Sequence, residues 1–165
     1  MIPDTLSPLY NQTLIGSLVW YIPPHWLLPS DVPPRNIVEA AYLASRRAKA
    51  SSRTLTYSAI PQIIHQQWKS IPIETWPLNI ISGIERWLSY AVAENDDGMA
   101  YFLWWDDGCD ELIAQAGPEL VETINAVPFP VERYDIFRVL ALNTFGGIVG
   151  SPLRRSLSAL DLHPF

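Results

Sequence analysis

The 165-residue sequence predicts an α/β fold with parallel strands, and three observations carry that expectation. From residue 60 onward, short apolar runs alternate with segments of helical periodicity. Met99–Trp105 is apolar on both faces of a strand, with Tyr101, Leu103 and Trp105 on one side and Phe102 and Trp104 on the other. That pattern belongs to a central strand covered by helices on both sides. A hydrophobic content of 48% is enough for a chain of this length to bury a core.

The elements follow in order. Residues 1–35 carry Pro3, Pro8, Pro23, Pro24, Pro29, Pro33 and Pro34, which predicts an extended arm with Trp20 and Trp26 packed on the remainder. Asn36 suits an N-cap, and Ile37, Ala40, Ala41 and Ala44 give the following helix one apolar side before a basic, serine-rich linker ends near residue 58. The domain proper spans 59–165. Within it, Ile60–His65 reads as a strand and Trp76–Ala93 as a helix despite Gly83, with Ile80, Ile84, Trp87, Leu88 and Ala91 facing inward. Met99–Trp105 is the next strand, parallel to and beside the first. Helices are expected over Cys109–Gln115, with Asp107 as N-cap, over Glu119–Ala126, and over Val131–Thr144. Gly146 and Gly147 then offer a C-cap before the short β-branched run Ile148–Val149.

A net charge of −6 argues against a general nucleic-acid binder, which needs clustered cations for phosphate backbones. The one basic cluster, Arg46, Arg47, Lys49 and Arg53, reads as a solvated helix end. A single cysteine, Cys109, excludes an internal disulfide and a cysteine-based zinc site. No segment reads as a membrane span. The most apolar, Leu14–Leu28, is interrupted by Pro23, Pro24 and His25 and is shorter than the roughly twenty residues that cross hydrocarbon. Met1–Thr13 holds no Lys or Arg, so a secretory leader is not expected either, although Asn11-Gln12-Thr13 forms a glycosylation sequon.

Three acidic positions and one basic position carry most of the candidate chemistry. Asp135 and Arg138 share a face of an otherwise apolar helix near the glycine turn. They read either as a ligand-binding carboxylate and guanidinium or as a surface ion pair. Asp106 and Asp107 fall at the carboxyl end of Met99–Trp105, where open α/β sheets bind ligands. They read as a sugar or metal contact, or as a turn and helix cap.

Three blocks, Ile60-Pro61-Gln62-Ile63-Ile64-His65-Gln66-Gln67-Trp68-Lys69-Ser70, Met99–Asp107, and Asp135/Arg138 leading into Gly146-Gly147-Ile148, occur in this order and resemble glycosyltransferase family 32. That family includes fungal initiating outer-chain mannosyltransferases and sphingolipid glycosyltransferases. The resemblance runs from about Ile60 to Pro152 and implies a partial GT-A-like nucleotide-sugar binding fold behind the proline-rich arm. It implies transfer of a hexosyl group, mannosyl by preference, from GDP-mannose or a UDP-sugar to a glycan or lipid acceptor. The implied location is the Golgi or secretory lumen, with the cytoplasm left open because no anchor is read in the sequence.

By the same resemblance, Trp68 lies in the loop near the nucleotide base, and Asp135 and Arg138 lie beside the donor sugar and phosphate. His65 reads as a structural histidine or a catalytic one. Family members hold Mn²⁺ through an Asp-x-Asp motif beyond the glycine strand. Here the chain reads Gly146-Gly147-Ile148-Val149-Gly150-Ser151-Pro152-Leu153-Arg154-Arg155, with neither aspartate, so no metal ligands are assigned. The sequence also ends at Phe165, before the family's acceptor-side half. An active transferase, an inactive truncated remnant and a nucleotide-sugar binding protein are therefore all open.

Overall fold

Two five-residue strands that are buried almost throughout organise the molecule. In the computed structural model, which describes residues 19–69, 75–93 and 98–151, β2 (Ile63–Gln67) and β3 (Ala100–Trp104) pair in parallel with Ile64 opposite Tyr101 and His65 opposite Phe102. β4 (Ile148–Val149) adds in parallel on the far side of β2, and β1 (Trp20–Tyr21) runs antiparallel on the far side of β3. The strand order is β1-β3-β2-β4. The expected parallel neighbours are thus observed, with boundaries shifted: the first strand begins at Ile63 rather than Ile60 and runs on to Gln67. Pro61 explains the late start, because it forms only an isolated bridge with Thr54.

Helices cover both faces. α1 (Ile37–Ala50) starts at the expected cap, where the Asn36 side chain accepts the Glu39 amide at 2.8 Å while its Nδ2 donates to Glu111 at 2.6 Å. Ile37, Val38, Ala40, Ala41 and Ala44 are all fully buried, and the alanines allow close approach to the sheet. α2 (Leu78–Ala91) buries Ile80, Ile84, Trp87, Leu88 and Ala91, as its apolar pattern requires, and packs on β2 and β3. α3 (Asp106–Ala116), α4 (Pro118–Ala126) and α5 (Pro130–Phe145) follow β3. α5 buries only Phe137, Ala141 and Phe145, a stripe at four-residue spacing that meets Trp104 through ring contacts at 5.2 and 5.9 Å.

Two expectations change. Asp107 is not a helix cap: α3 begins at Asp106, three residues before the expected start at Cys109, with Trp105 in the cap position and no side-chain cap bond. The described part of the proline-rich stretch is also more than an arm. Val19 accepts the Leu103 amide at 2.8 Å, Trp20 and Tyr21 form the sheet's antiparallel edge, and Trp26 is buried under the Arg53 guanidinium at 5.3 Å. Arg47 pairs with Asp31, whose carboxyl is held below its usual range chiefly by that hydrogen bond. The basic cluster is therefore only partly a solvated helix end. Among the described residues no helix is long and apolar enough to cross a membrane. The sequon and residues 14–18 of the apolar N-terminal run lie outside the described residues, as does Pro152 onward.

The turn from α5 into β4 needs glycine. Gly146 closes the helix with its amide on the Leu142 carbonyl at 2.9 Å, and both it and Gly147 have positive φ, 73° and 95°. A Cβ on Gly147 would overlap the Ile63 carbonyl oxygen, which is backbone and cannot step aside. Gly147→Ala is expected to destabilise the fold by roughly 2 kcal/mol or more through strain and overlap, read as a lowered urea midpoint with an unchanged slope.

Candidate functional site

Parallel pairing brings the carboxyl ends of β2, β3 and β4 to one edge; Trp68 follows β2, Asp106 and Asp107 open α3 just after β3, and Asp135 and Arg138 lie on α5. The fulcrum is His65. Its imidazole is fully buried, with Nδ1 accepting the Trp104 indole N–H at 3.1 Å and Nε2 lying 2.9 Å from the Gly146 carbonyl. An indole N–H only donates and a carbonyl only accepts, so the ring is neutral with its proton on Nε2. Burial drives its pKa from 6.5 down to about 4, opposed by the Gly146 bond. His65 is therefore a structural clamp between β2, β3 and the glycine turn, the first of its two readings. Near neutral pH it is not an imidazolium and does not act as an acid.

The next three residues each leave a buried polar atom without a hydrogen-bond partner: Gln66 Nε2, Gln67 Oε1 and Trp68 Nε1. Each side chain is otherwise held. Gln66 accepts from the Tyr101 hydroxyl at 2.7 Å, Gln67 Nε2 meets Cys109 Sγ at 3.2 Å, and the Trp68 amide bonds the Trp104 carbonyl at 2.9 Å. Orphaned buried groups cost about 1–3 kcal/mol apiece, so such a run at the strand end of an α/β sheet has the character of a polar site awaiting a ligand or water. Gln66 and Gln67 were not singled out from sequence. Two amides closing an otherwise apolar strand are the signal that marks them.

Arg138 lines a closed crevice with Gln66, Gln67, Trp104, Phe137 and Val149, one with no room for a water molecule. Its guanidinium bonds Asp135 at 2.6 Å, and both side chains are largely exposed, 42% and 64%. The structure thus joins Asp135 to Arg138 as an exposed i, i+3 pair, worth at most about 1 kcal/mol. Only the arginine reaches the crevice. Trp68 does not line it; its half-buried indole packs edge-on against Trp76 at 6.5 Å.

Asp106 accepts a hydrogen bond from Tyr134 at 3.1 Å, on the wall of a cavity of about 140 Å³ between α3 and α5 that also includes Cys109, Asp110 and Arg133. Small-molecule pockets usually span about 300–1,000 Å³, so this cavity does not hold a nucleotide sugar. Asp106 and Asp107 are consecutive on one helix and point about 100° apart, so they do not converge on one cation. Gly150 and Ser151 close β4 without a carboxylate, and the described residues contain no cluster of three or more metal-ligating side chains. The described residues do not fit an Mn²⁺ site.

Compared with known proteins, the chain is 35% identical over 92 residues, 55% of its length, to inositol phosphoceramide mannosyltransferase 3 of Schizosaccharomyces pombe. It is 34% identical over 89 residues, 53% of its length, to inositol phosphoceramide mannosyltransferase 2 of the same yeast. Each match covers 23% of the relative, so the chain spans less than a quarter of the length of the curated relatives it matches. No family model and no solved structure matches it. These partial, distant similarities support a glycosyltransferase relationship.

Two measurements check the clamp and its surroundings. Because the folded-state pKa of His65 lies below its unfolded value, the stability it protects is complete above pH 6.5 and is lost as pH falls toward about 4. The unfolding free energy is expected to fall by about 3 kcal/mol across that window, and His65→Gln, which keeps one donor and one acceptor, is expected to flatten the slope. Burial likewise pushes the Cys109 thiol up to about 12, so alkylation at pH 8 is expected to be slow in the folded chain and fast only in denaturant.

Proposed function

We propose that the chain forms the donor-side part of a glycosyltransferase of the family 32 type, binding a nucleotide sugar at the carboxyl edge of β2, β3 and β4. The observation that carries the reading is the pair of orphaned amide atoms at Gln66 and Gln67, residues that border the same crevice as Arg138, in a chain similar to two mannosyltransferases. The established chemistry of such groups suits the ligand. The Trp68 indole offers a flat apolar face to a base, while its unpaired N–H is enclosed. Arg138 has guanidinium donors beyond the one engaged by Asp135, and these match diphosphate oxygens, while the Asp135 carboxylate accepts sugar hydroxyls.

The reaction implied is transfer of a hexosyl group, by preference mannosyl, to a lipid or glycan hydroxyl in the secretory pathway, most naturally the Golgi. The chain's own contribution is to bind and orient the donor. His65 holds β2, β3 and the glycine turn in register so that the polar edge is formed before the donor arrives. Mn²⁺ assists this class by offsetting charge on the leaving diphosphate, but the described residues do not fit it.

A second reading follows from that misfit: the chain binds the donor without turning it over. Gly150-Ser151 in place of a carboxylate pair favours it, since removing even a single transition-state stabilising donor costs about 10² to 10³ in rate.

Calorimetric titration of GDP-mannose and UDP-sugars, with and without Mn²⁺ and corrected for metal–nucleotide complexation, tests both readings. The expected result is binding of one nucleotide sugar that Mn²⁺ does not tighten and that Arg138→Ala weakens about tenfold or more. No binding refutes the donor site. A metal-dependent gain abolished by Asp106→Asn with Asp107→Asn refutes the assignment of no metal ligands. Transfer to a lipid or glycan acceptor, followed with labelled donor, separates the transferase from the binding protein.

A further inference from the structure

The surface built from residues 27–50 has its own organisation. Two adjoining depressions, of about 430 and 630 Å³, share Val32, Pro33, Pro34 and Leu43 and run along the outside of α1. Their rims expose large apolar side chains: Leu27 at 40%, Leu28 at 51%, Tyr42 at 42% and Val32 at 82%. Val32 borders both depressions and is 82% exposed, so an apolar side chain stands at their rim within reach of a soft apolar layer.

Charge on this face departs from that of the chain. Residues 31–53 hold five cations, Arg35, Arg46, Arg47, Lys49 and Arg53, against two carboxylates, Asp31 and Glu39, in a protein of net charge −6. Both carboxylates are already paired, Asp31 with Arg47 and Glu39 with Arg35. Arg46 and Lys49 are exposed, form no ion pair among the described residues, and fall at i+4 and i+7 from Tyr42 on the outer stripe of α1. The cations are thus concentrated beside the exposed apolar patch.

We propose that this face docks on a bilayer carrying anionic lipid headgroups. Leu27, Leu28 and Val32 enter the headgroup–acyl boundary, Tyr42 sits at the interface with its hydroxyl in water, and Arg46 and Lys49 meet lipid phosphates. The complementarity is specific to an anionic surface: the patch is cationic while the chain as a whole is acidic, so a neutral bilayer gains only the apolar part and the remainder of an anionic one repels other faces. The proposal stands independently of the donor site, since none of its residues touches the strand ends.

Flotation of the full chain with vesicles of phosphatidylcholine alone, or of phosphatidylcholine and phosphatidylserine in equal parts, tests it. Binding is expected to the mixed vesicles only, to fall with salt raised to about 0.5 M, and to drop about tenfold or more in Arg46→Glu/Lys49→Glu and in Leu28→Ser/Val32→Ser. All four positions are exposed at the surface, so folding is expected to be retained, checked by circular dichroism; Val139→Ser, on the exposed side of α5, serves as a control that leaves binding unchanged. Equal binding to both vesicle types, no binding, or loss of binding in the control overturns the proposal. So does a concentration-dependent dimer in sedimentation velocity that the same substitutions abolish, because a second copy then occupies the face.

Discussion

A neutral imidazole with both nitrogens engaged, sealed from water, is the constraint on which the remainder of this structure leans. His65 accepts from Trp104 on β3 and donates to the Gly146 carbonyl at the end of α5, so one side chain links the central strand pair to the turn that launches β4. Phe102, Trp104 and Phe145 surround the ring with centroids 5.8–6.1 Å away, which excludes the water that would otherwise compete for those bonds. Gly147 presses its backbone against the Ile63 carbonyl at the same junction, and the Gly150 amide bonds the His65 carbonyl at 2.8 Å. The Ser45 hydroxyl ties α1 to the Phe145 carbonyl at 3.0 Å, so the last turn of α5 is held from a second helix. Register of three strands and the direction of α5 therefore converge on one contact set. The polar strand ends beyond it inherit their positions from that set.

Much of this was legible from residue patterns, and the exceptions have physical causes. A strand apolar on both faces at Met99–Trp105 announced a central position, and the structure buries Ala100–Trp104 completely on that account. Asn36 announced a helix start because its short carbonyl side chain reaches the third amide beyond it. Trp20 and Tyr21 gave no such signal. Only two residues pair with β3, and what holds them is burial of Val19 and Trp26 on either side, a tertiary effect that proline density obscured. Asp107 looked like a cap because Asp-Gly favours turns, but Gly108 continues α3, seated closely against Ile37 and Trp105.

The candidate site was legible in part. Position 138 was found through its spacing from Asp135, yet spacing cannot tell a solvated ion pair from a binding pair, and the structure gives this pair features of both: exposed contact between the partners, with the arginine alone reaching the crevice. Gln66 and Gln67 were passed over because amides in a strand carry no charge or motif. Their importance emerges only when the hydrogen-bond partners are assigned and one atom of each is left over. Similarity to two yeast mannosyltransferases over little more than half the chain supports a glycosyltransferase relationship.

The central claim is that a sugar nucleotide sits on the carboxyl edge of the parallel strands without disturbing the clamp beneath it. Indole N–H resonances report this directly, because Trp68 Nε1–H has no partner while Trp104 Nε1–H is committed to His65. In a ¹H–¹⁵N spectrum titrated with GDP-mannose and UDP-sugars, the account predicts a saturable shift of the Trp68 indole and the Arg138 side chain, with the Trp104 indole unmoved. Shifts confined to other faces of the molecule, or movement of the Trp104 indole without Trp68, would contradict it.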